Sequence, residues 1–267
     1  VQIFDARGKH LQSIPVEFPR KGIIHDLQIT DHYVVIFYAP AFHSLEKAMK
    51  GENPFLWEPE LGTKIIVIPR SGKGQNRVFE TGAFFSWHYC NGFERDGKLV
   101  IDYVRIKSIP FAQDQGTGAE KQPRRMHRMT LDLATRGVTD EEFSDVFCEF
   151  SRVDERRMGK PYRYGFAASS NREWGDAHGY NCTGRFDFET GETSLWEYGP
   201  EANAGEPVYV PNPDSDREAD GWLMCFVHNP GEGAFLSVLS AADFTRGPVC
   251  KVHIPGRVPN GFHANWM

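Results

Sequence analysis

The chain has 267 residues, 40% of them hydrophobic and 25% charged, with a formal net charge of −6. That is ample material for a large core, and the acidic balance argues against a nucleic-acid binder. Five cysteines, an odd number with no CxxC pair, exclude a disulfide framework or zinc knuckle as the organising device.

Reduced, buried thiols are therefore expected, and with them a cytoplasmic location. No apolar run approaches the roughly 20 residues of a membrane span. The chain opens at Val1 without an initiator Met and stops at Trp266-Met267 directly after a dense motif. A processed chain or a piece of a longer protein is the expectation, which leaves targeting unreadable. Twenty Phe suit a packed β core or an apolar tunnel.

Short strands come first, at residues 1–4 and before Pro19. Tyr33-Val34-Val35-Ile36-Phe37-Tyr38 is the next strand. One short helix follows, capped by Ser44, propagated over residues 45–50 and ended by Gly51. Residues 53–59 read as loop. Strands then dominate: 63–68, 77–79, 83–88 and, after the Asp96-Gly97 hairpin signal, 99–104. Residues 112–123 form the longest expected loop. Period-two alternation returns at 128–133 and near 184–189, followed by strands at 194–198, 208–210, 222–227, 235–239 and 249–254. The class is all-β, read as a single domain.

Within this pattern, five metal-competent residues occupy similar surroundings. They are His25, His88, Glu149, Glu206 and His263, and the successive intervals are 63, 61, 57 and 57 residues. A period near 60 with three or four strands per interval is a repeat signature of the propeller kind. A lone histidine beside an apolar strand is by default a packed core residue. Several at equivalent points of successive innermost strands would converge on one axis. Imidazoles aimed at one point make a metal site, with carboxylates behind them taking their outer N–H groups. Imidazole ligation suits Fe, Cu, Ni or Zn, and Fe where O₂ chemistry is needed.

The same stretches resemble the carotenoid cleavage oxygenase family, which includes bacterial stilbene-cleaving dioxygenases. Ile24-His25-Asp26-Leu27-Gln28-Ile29-Thr30 is similar to its HDFxIT motif, and His88-Tyr89-Cys90-Asn91-Gly92-Phe93-Glu94 to HxxNAYE. Gly261-Phe262-His263-Ala264-Asn265 is similar to the terminal GFHG motif. Glu149 lies in an FEFP-like segment, Gly159 to Gly165 is also family-like, and Gly205-Glu206-Pro207 matches a GEP segment. The resemblance covers nearly the whole chain, in the family's order.

The resemblance implies a seven-bladed propeller with Fe(II) on its axis, held by four His and backed by three Glu. It makes His25, His88 and His263 metal ligands, with Glu149 and Glu206 behind them. The family's first His and first Glu lie upstream of the HDF motif, and His10 is too near to replace that ligand. The expectation is thus an incomplete propeller of about five blades, inactive by itself. The implied reaction is cleavage of a C=C bond in an apolar carotenoid, apocarotenoid or stilbene-type alkene by O₂, with no catalytic acid or base assigned. Phe84, Phe85, Trp87, Phe262 and Trp266 flank the ligands and are candidates for an apolar tunnel or for core. Peripheral membrane contact would suit a lipophilic substrate. Two other readings stand beside this one: a propeller that binds an apolar ligand without turnover, and a Zn hydrolase, for which no HExxH motif exists.

The remaining histidines, His32, His43, His127, His178, His228 and His253, are expected on turns, loops or outer strands. Glu94 is expected to brace its blade, Asp26 to orient a neighbour, and Asp154-Glu155-Arg156-Arg157 to form an ion network. Asn181-Cys182-Thr183 is formally a glycosylation sequon.

Overall fold

Burial on both faces marks the first central strand. Val34, Val35, Ile36, Phe37 and Tyr38 are all buried, so Tyr33–Tyr38 cannot lie at a solvated edge. In the computed structural model, which describes residues 1–109, 123–172 and 179–267, this strand pairs with Gln28–Ile29 on one side. On the other it pairs with Thr63–Pro69, which in turn pairs with Arg77–Thr81. Val35, Phe37, Ile65 and Val67 pack towards Phe84, Tyr103 and Met129. The opposite face, Val34, Ile36, Ile66 and Ile68, packs on Ile14 and Phe42.

The second unit runs Tyr89–Arg95, Lys98–Arg105, Arg125–Asp132 and Val138–Val153. Its first hairpin turns at Asp96 and Gly97, both at positive φ (51° and 74°), as the Asp-Gly signal requires. The third unit runs from the second half of Val138–Val153 through Tyr164–Ser170, Cys182–Asp187 and Glu192–Glu197. The fourth is Val208–Pro211, Gly221–Asn229, Gly233–Ser240 and Pro248–Ile254, with Asn203–Ala204 also on Gly221–Asn229. Two small hairpin sheets, Gln2–Phe4 with His10–Ser13 and Ala41–His43 with Phe55–Trp57, flank the first unit.

The described residues therefore hold four four-stranded antiparallel meanders, each the architecture of a propeller blade, where about five were expected. Five equally spaced positions bound only four intervals, and each interval holds one meander. None of the described sheets closes on itself.

Strand Val138–Val153 is the largest departure from expectation. Asp140, Glu141, Glu142 and Asp145 conceal it as sequence, because they remove any apolar run. Two of its charges are matched across strands instead, Arg105 to Asp140 and Arg125 to Glu142, while Glu141 and Asp145 are exposed. It pairs with Arg125–Asp132 over its first half and with Tyr164–Ser170 over its second, so meanders two and three form one seven-stranded sheet. Tyr164–Ser170 was likewise not expected as a strand, and Phe55–Trp57 lies where a loop was read. Residues 83–88 are not a strand; only Phe85 bridges to Ile106. The helix is Leu45–Met49, with Ser44 Oγ accepting from the Lys47 N–H and Gly51 at φ 70°. Most of the expected 112–123 loop, and His178, lie outside the described residues.

Candidate metal centre

The three histidines reach one point from three different backbones. His25 lies in the stretch entering Gln28–Ile29, His88 immediately precedes Tyr89–Arg95, and His263 lies on residues 255–267 beyond the last strand. His25 and His88 thus stand just before strands and His263 after the last one, and none of the three lies within an innermost strand. Positions outside the ladders leave the imidazoles free of a strand's alternating faces. One ring nitrogen from each of the three lies within 4.8 Å of the others, and no second group of this kind occurs among the described residues. His88 Nε2 is 3.3 Å from His263 Nε2. Two cis ligands, each about 2.1 Å from a metal, would lie about 3 Å apart. The imidazole rings of His25 and His88 meet edge to face with centroids 5.2 Å apart.

Behind the rings sit the carboxylates. Glu149, 1% exposed, accepts from His88 Nδ1 at 2.5 Å and from the Phe150 N–H at 2.7 Å. Glu206 accepts from His263 Nδ1 at 3.2 Å and from the Ala264 N–H at 2.7 Å. With Nδ1–H committed to a carboxylate, each ring presents Nε2 as the lone-pair donor. Donor set, spacing and tautomers all fit a divalent metal that favours imidazole. Burial and the neighbouring His88 lower the pKa of His25, which favours the neutral, ligating form. For His88 burial acts in the same direction, but the hydrogen bond and charge of Glu149 outweigh it and raise the value.

Asp26 ties two ligand segments together. One oxygen accepts from the Leu27 N–H at 2.7 Å and the other from the Tyr89 N–H at 3.0 Å, so the residues after His25 and after His88 share a carboxylate. Asn91 joins two more family-like stretches: it accepts from the Gly159 N–H at 2.9 Å and donates to the Arg157 carbonyl at 2.9 Å. Gly92 stands where a Cβ would meet the Gln28 side chain at 2.6 Å.

The aromatic candidates divide. Phe84 is fully buried against Phe37 and Tyr103, and Phe85 is buried with Trp57, Ile106 and Ile109. Both belong to the core, because the Phe85–Ile106 bridge carries this segment inward. Trp87 packs edge-on against His25 at 4.8 Å. Phe262 is exposed and lines a cavity of about 420 Å³ with Phe147, Phe150, Tyr180 and Phe226. Trp266 is exposed. Phe150 is the residue that sequence reasoning overlooked: its ring lies 5.2 Å from His88 and 5.5 Å from His263, and its backbone holds φ at 55°. Its place beside Glu149 was the available signal.

Other residues fall into supporting roles. Glu94 accepts from Thr30 Oγ and the His32 N–H and pairs with His32 Nδ1 at 2.9 Å. His127 contacts Asp140, His253 lies near Glu232, His43 packs on Phe55, and His228 sits on a strand of the fourth meander. Asp154 pairs with Arg156, whose Nη1 reaches the Ser215 carbonyl at 2.7 Å and links meanders three and four. Asn181 is fully buried with its amide donating to Asn171, which makes the sequon inaccessible as it stands. All five cysteines are free, and only Cys250 is exposed. No described helix is long and apolar enough to cross a membrane.

Among the described residues, an all-β fold brings three histidines to one point, two of them backed by carboxylates, which defines a candidate metal centre on a β scaffold. The retinal pigment epithelial membrane protein family model matches residues 1–267, and the chain belongs to that family, the carotenoid cleavage oxygenases. It is 29% identical to apocarotenoid-15,15'-oxygenase of Synechocystis sp. over 98% of its length. Isoeugenol monooxygenase of Pseudomonas nitroreducens is 30% identical over 99% of it, and lignostilbene-alpha,beta-dioxygenase isozyme III of Sphingomonas paucimobilis 29% over 98%. The chain spans 55%, 59% and 58% of these relatives' own lengths, respectively. The crystal structure of cobalt-substituted Synechocystis apocarotenoid oxygenase superposes with a TM-score of 0.91 at 27% identity, covering all of this chain and 57% of that one.

Proposed function

We propose that this chain carries the iron-binding face of a non-haem Fe(II)-dependent oxygenase that cleaves a C=C bond of a carotenoid, apocarotenoid or stilbene-type substrate with O₂. The observation that carries this reading is the convergence of three imidazoles, two of them backed by buried carboxylates. The relatives' activities, all oxygenations, support it. So does the cobalt-substituted neighbour, since a site that takes cobalt is built for a divalent ion.

When bound, ferrous iron supplies the O₂ activation that a closed-shell alkene lacks. The protein's own work is different. Neutral imidazoles leave the ion's charge uncompensated, which favours a small oxidant. Glu149 and Glu206 hold ring orientation through Nδ1–H. Phe150, whose ring lies 5.2 Å from His88 and 5.5 Å from His263, joins Phe147, Tyr180, Phe226 and Phe262 in a mixed cavity wall that also carries Arg124, Asn203 and Asn260, suited to an alkene with a polar end. Cleavage of one C=C with one O₂ places an oxygen on each carbon, giving two carbonyl products with no net proton or outside electron. The reading therefore assigns no acid or base.

The test is metal analysis and turnover of the full-length product. About one iron per chain is expected, with O₂ uptake and two carbonyl products from a stilbene, an isoeugenol-type phenylpropene or an apocarotenal. A chelator should abolish turnover, and Fe(II), but not Zn(II), should restore it. Alkene binding without turnover at full iron loading would overturn the proposal, as would Zn-supported activity without O₂.

A further inference from the structure

His263 lies on a segment that makes no strand. Without ladder hydrogen bonds, such a segment opens easily unless side chains anchor it, and a metal ligand must not drift. Glu206 supplies one anchor, through His263 Nδ1 and the Ala264 N–H. Asn203 adds a bond to Asn260 at 3.2 Å, and Arg152 supplies the anchor next to His263 itself. Its Nη2 donates to Asn265 Oδ1 at 2.5 Å and to the Ala264 carbonyl at 3.4 Å, and its Nη1 lies 3.6 Å from Glu206 Oε1. A further contact, to Glu155 at 3.2 Å, faces outward.

The same guanidinium thus grips the two residues after His263 and the carboxylate that orients its ring. Arg152 stands three residues after Glu149 on strand Val138–Val153, across the register shift that follows Glu149. One irregular strand therefore serves two of the three histidines: Glu149 holds His88, and Arg152 holds the segment of His263. We infer that Arg152 is a positioning residue for His263, acting through Glu206 and the 264–265 backbone. As a statement about metal binding, this rests on the reading under Proposed function.

A planar guanidinium can serve several acceptors at fixed angles, whereas an ammonium on a flexible stem cannot. Arg152→Met should therefore disrupt the arrangement, and Arg152→Lys should recover only part of it. In full-length protein, Arg152→Met is expected to weaken Co(II) binding by up to about 10-fold, the low end of the range for a ligand's own partner because Arg152 acts one step further out, and to alter the cobalt visible spectrum. In the metal-free protein, the ¹⁵N shifts of the His263 ring should move from the Nδ1–H tautomer towards a mixture. Amides of residues 260–267 should exchange faster, while those of the strands do not.

Asn265→Ala, which removes only the shortest Arg152 contact, should shift all four readouts the same way by less. It keeps the test alive should Arg152→Met fold poorly. Wild-type cobalt affinity and wild-type His263 ring shifts in a folded Arg152→Met protein would overturn the inference, and so would an Asn265→Ala protein unchanged in every readout. If the unmodified protein binds no cobalt, yet Arg152→Met still moves the His263 tautomer, the oxygenase reading falls while the positioning role stands.

Discussion

Replacing the Glu149 carboxylate with an amide keeps an acceptor for His88 Nδ1–H but removes the charge that strengthens and shortens that contact. Glu149→Gln is expected to lower cobalt or iron affinity about tenfold, the lower end of the range for outer partners, with Tm nearly unchanged. Isothermal titration of the metal-free protein measures it, and an affinity equal to wild type would show that the carboxylate's charge is dispensable. At this scale much was legible. His25, His88 and His263 announce themselves because their motifs combine an imidazole with fixed neighbours, and Glu149 and Glu206 follow from the spacing. Arg152 was not legible, because an arginine carries no hint of which chain segment it will face, and Phe150 offered only its place beside Glu149. Phe84 and Phe85 stood open between tunnel and core, and burial places them in the core, since adjacency to His88 in sequence says nothing of which side of the backbone faces a cavity.

Among elements, paired strands carry the heaviest electrostatic demand. Asp102 on Lys98–Arg105 stands directly opposite Arg128 on Arg125–Asp132. It is fully buried, accepts two bonds from Arg128 at 2.8 and 2.9 Å, and accepts a third from Tyr162 Oη at 2.6 Å. Burial pushes its pKa up despite these partners. Asp102→Ala would strand a half-buried guanidinium and a buried phenol. A loss of about 3 kcal/mol is expected, the low end for breaking a buried pair, since Arg128 keeps some solvent. Urea unfolding measures it, as a fall in midpoint at constant m, while cobalt affinity stays at the wild-type value because the pair lies outside the histidine cluster. Strands with clean apolar runs, such as Tyr33–Tyr38, were readable. Val138–Val153 was not, because two of its acidic residues are neutralised by arginines of the same sheet and others are exposed, and only the pairing shows that.

For the whole molecule, the regular interval predicted repeated β units and a common meeting point, and both follow from the same geometry. Each meander begins near the centre, so residues one meander apart begin at neighbouring places. The described residues hold four such units, one to each interval, where the resemblance implied about five blades. The joining of meanders two and three could not be foreseen, since it depends on one strand changing partners midway along its length.

That shared strand has a consequence for how the protein breathes. Meanders two and three cannot separate without tearing Val138–Val153 from one of them, so they should open as a single cooperative body, whereas meanders one and four open independently. Native-state hydrogen exchange should find one common opening free energy for Lys98–Arg105 and Cys182–Asp187, distinct from that of Thr63–Pro69 and that of Gly233–Ser240. Separate values for the first two would refute the shared body. His88 belongs to this body, His25 enters the first meander, and His263 follows the fourth. An ion gripped by all three would act as a rivet through three bodies that otherwise open separately. Its binding energy would appear as cooperativity between them, and its removal would loosen their junctions before it loosened any sheet.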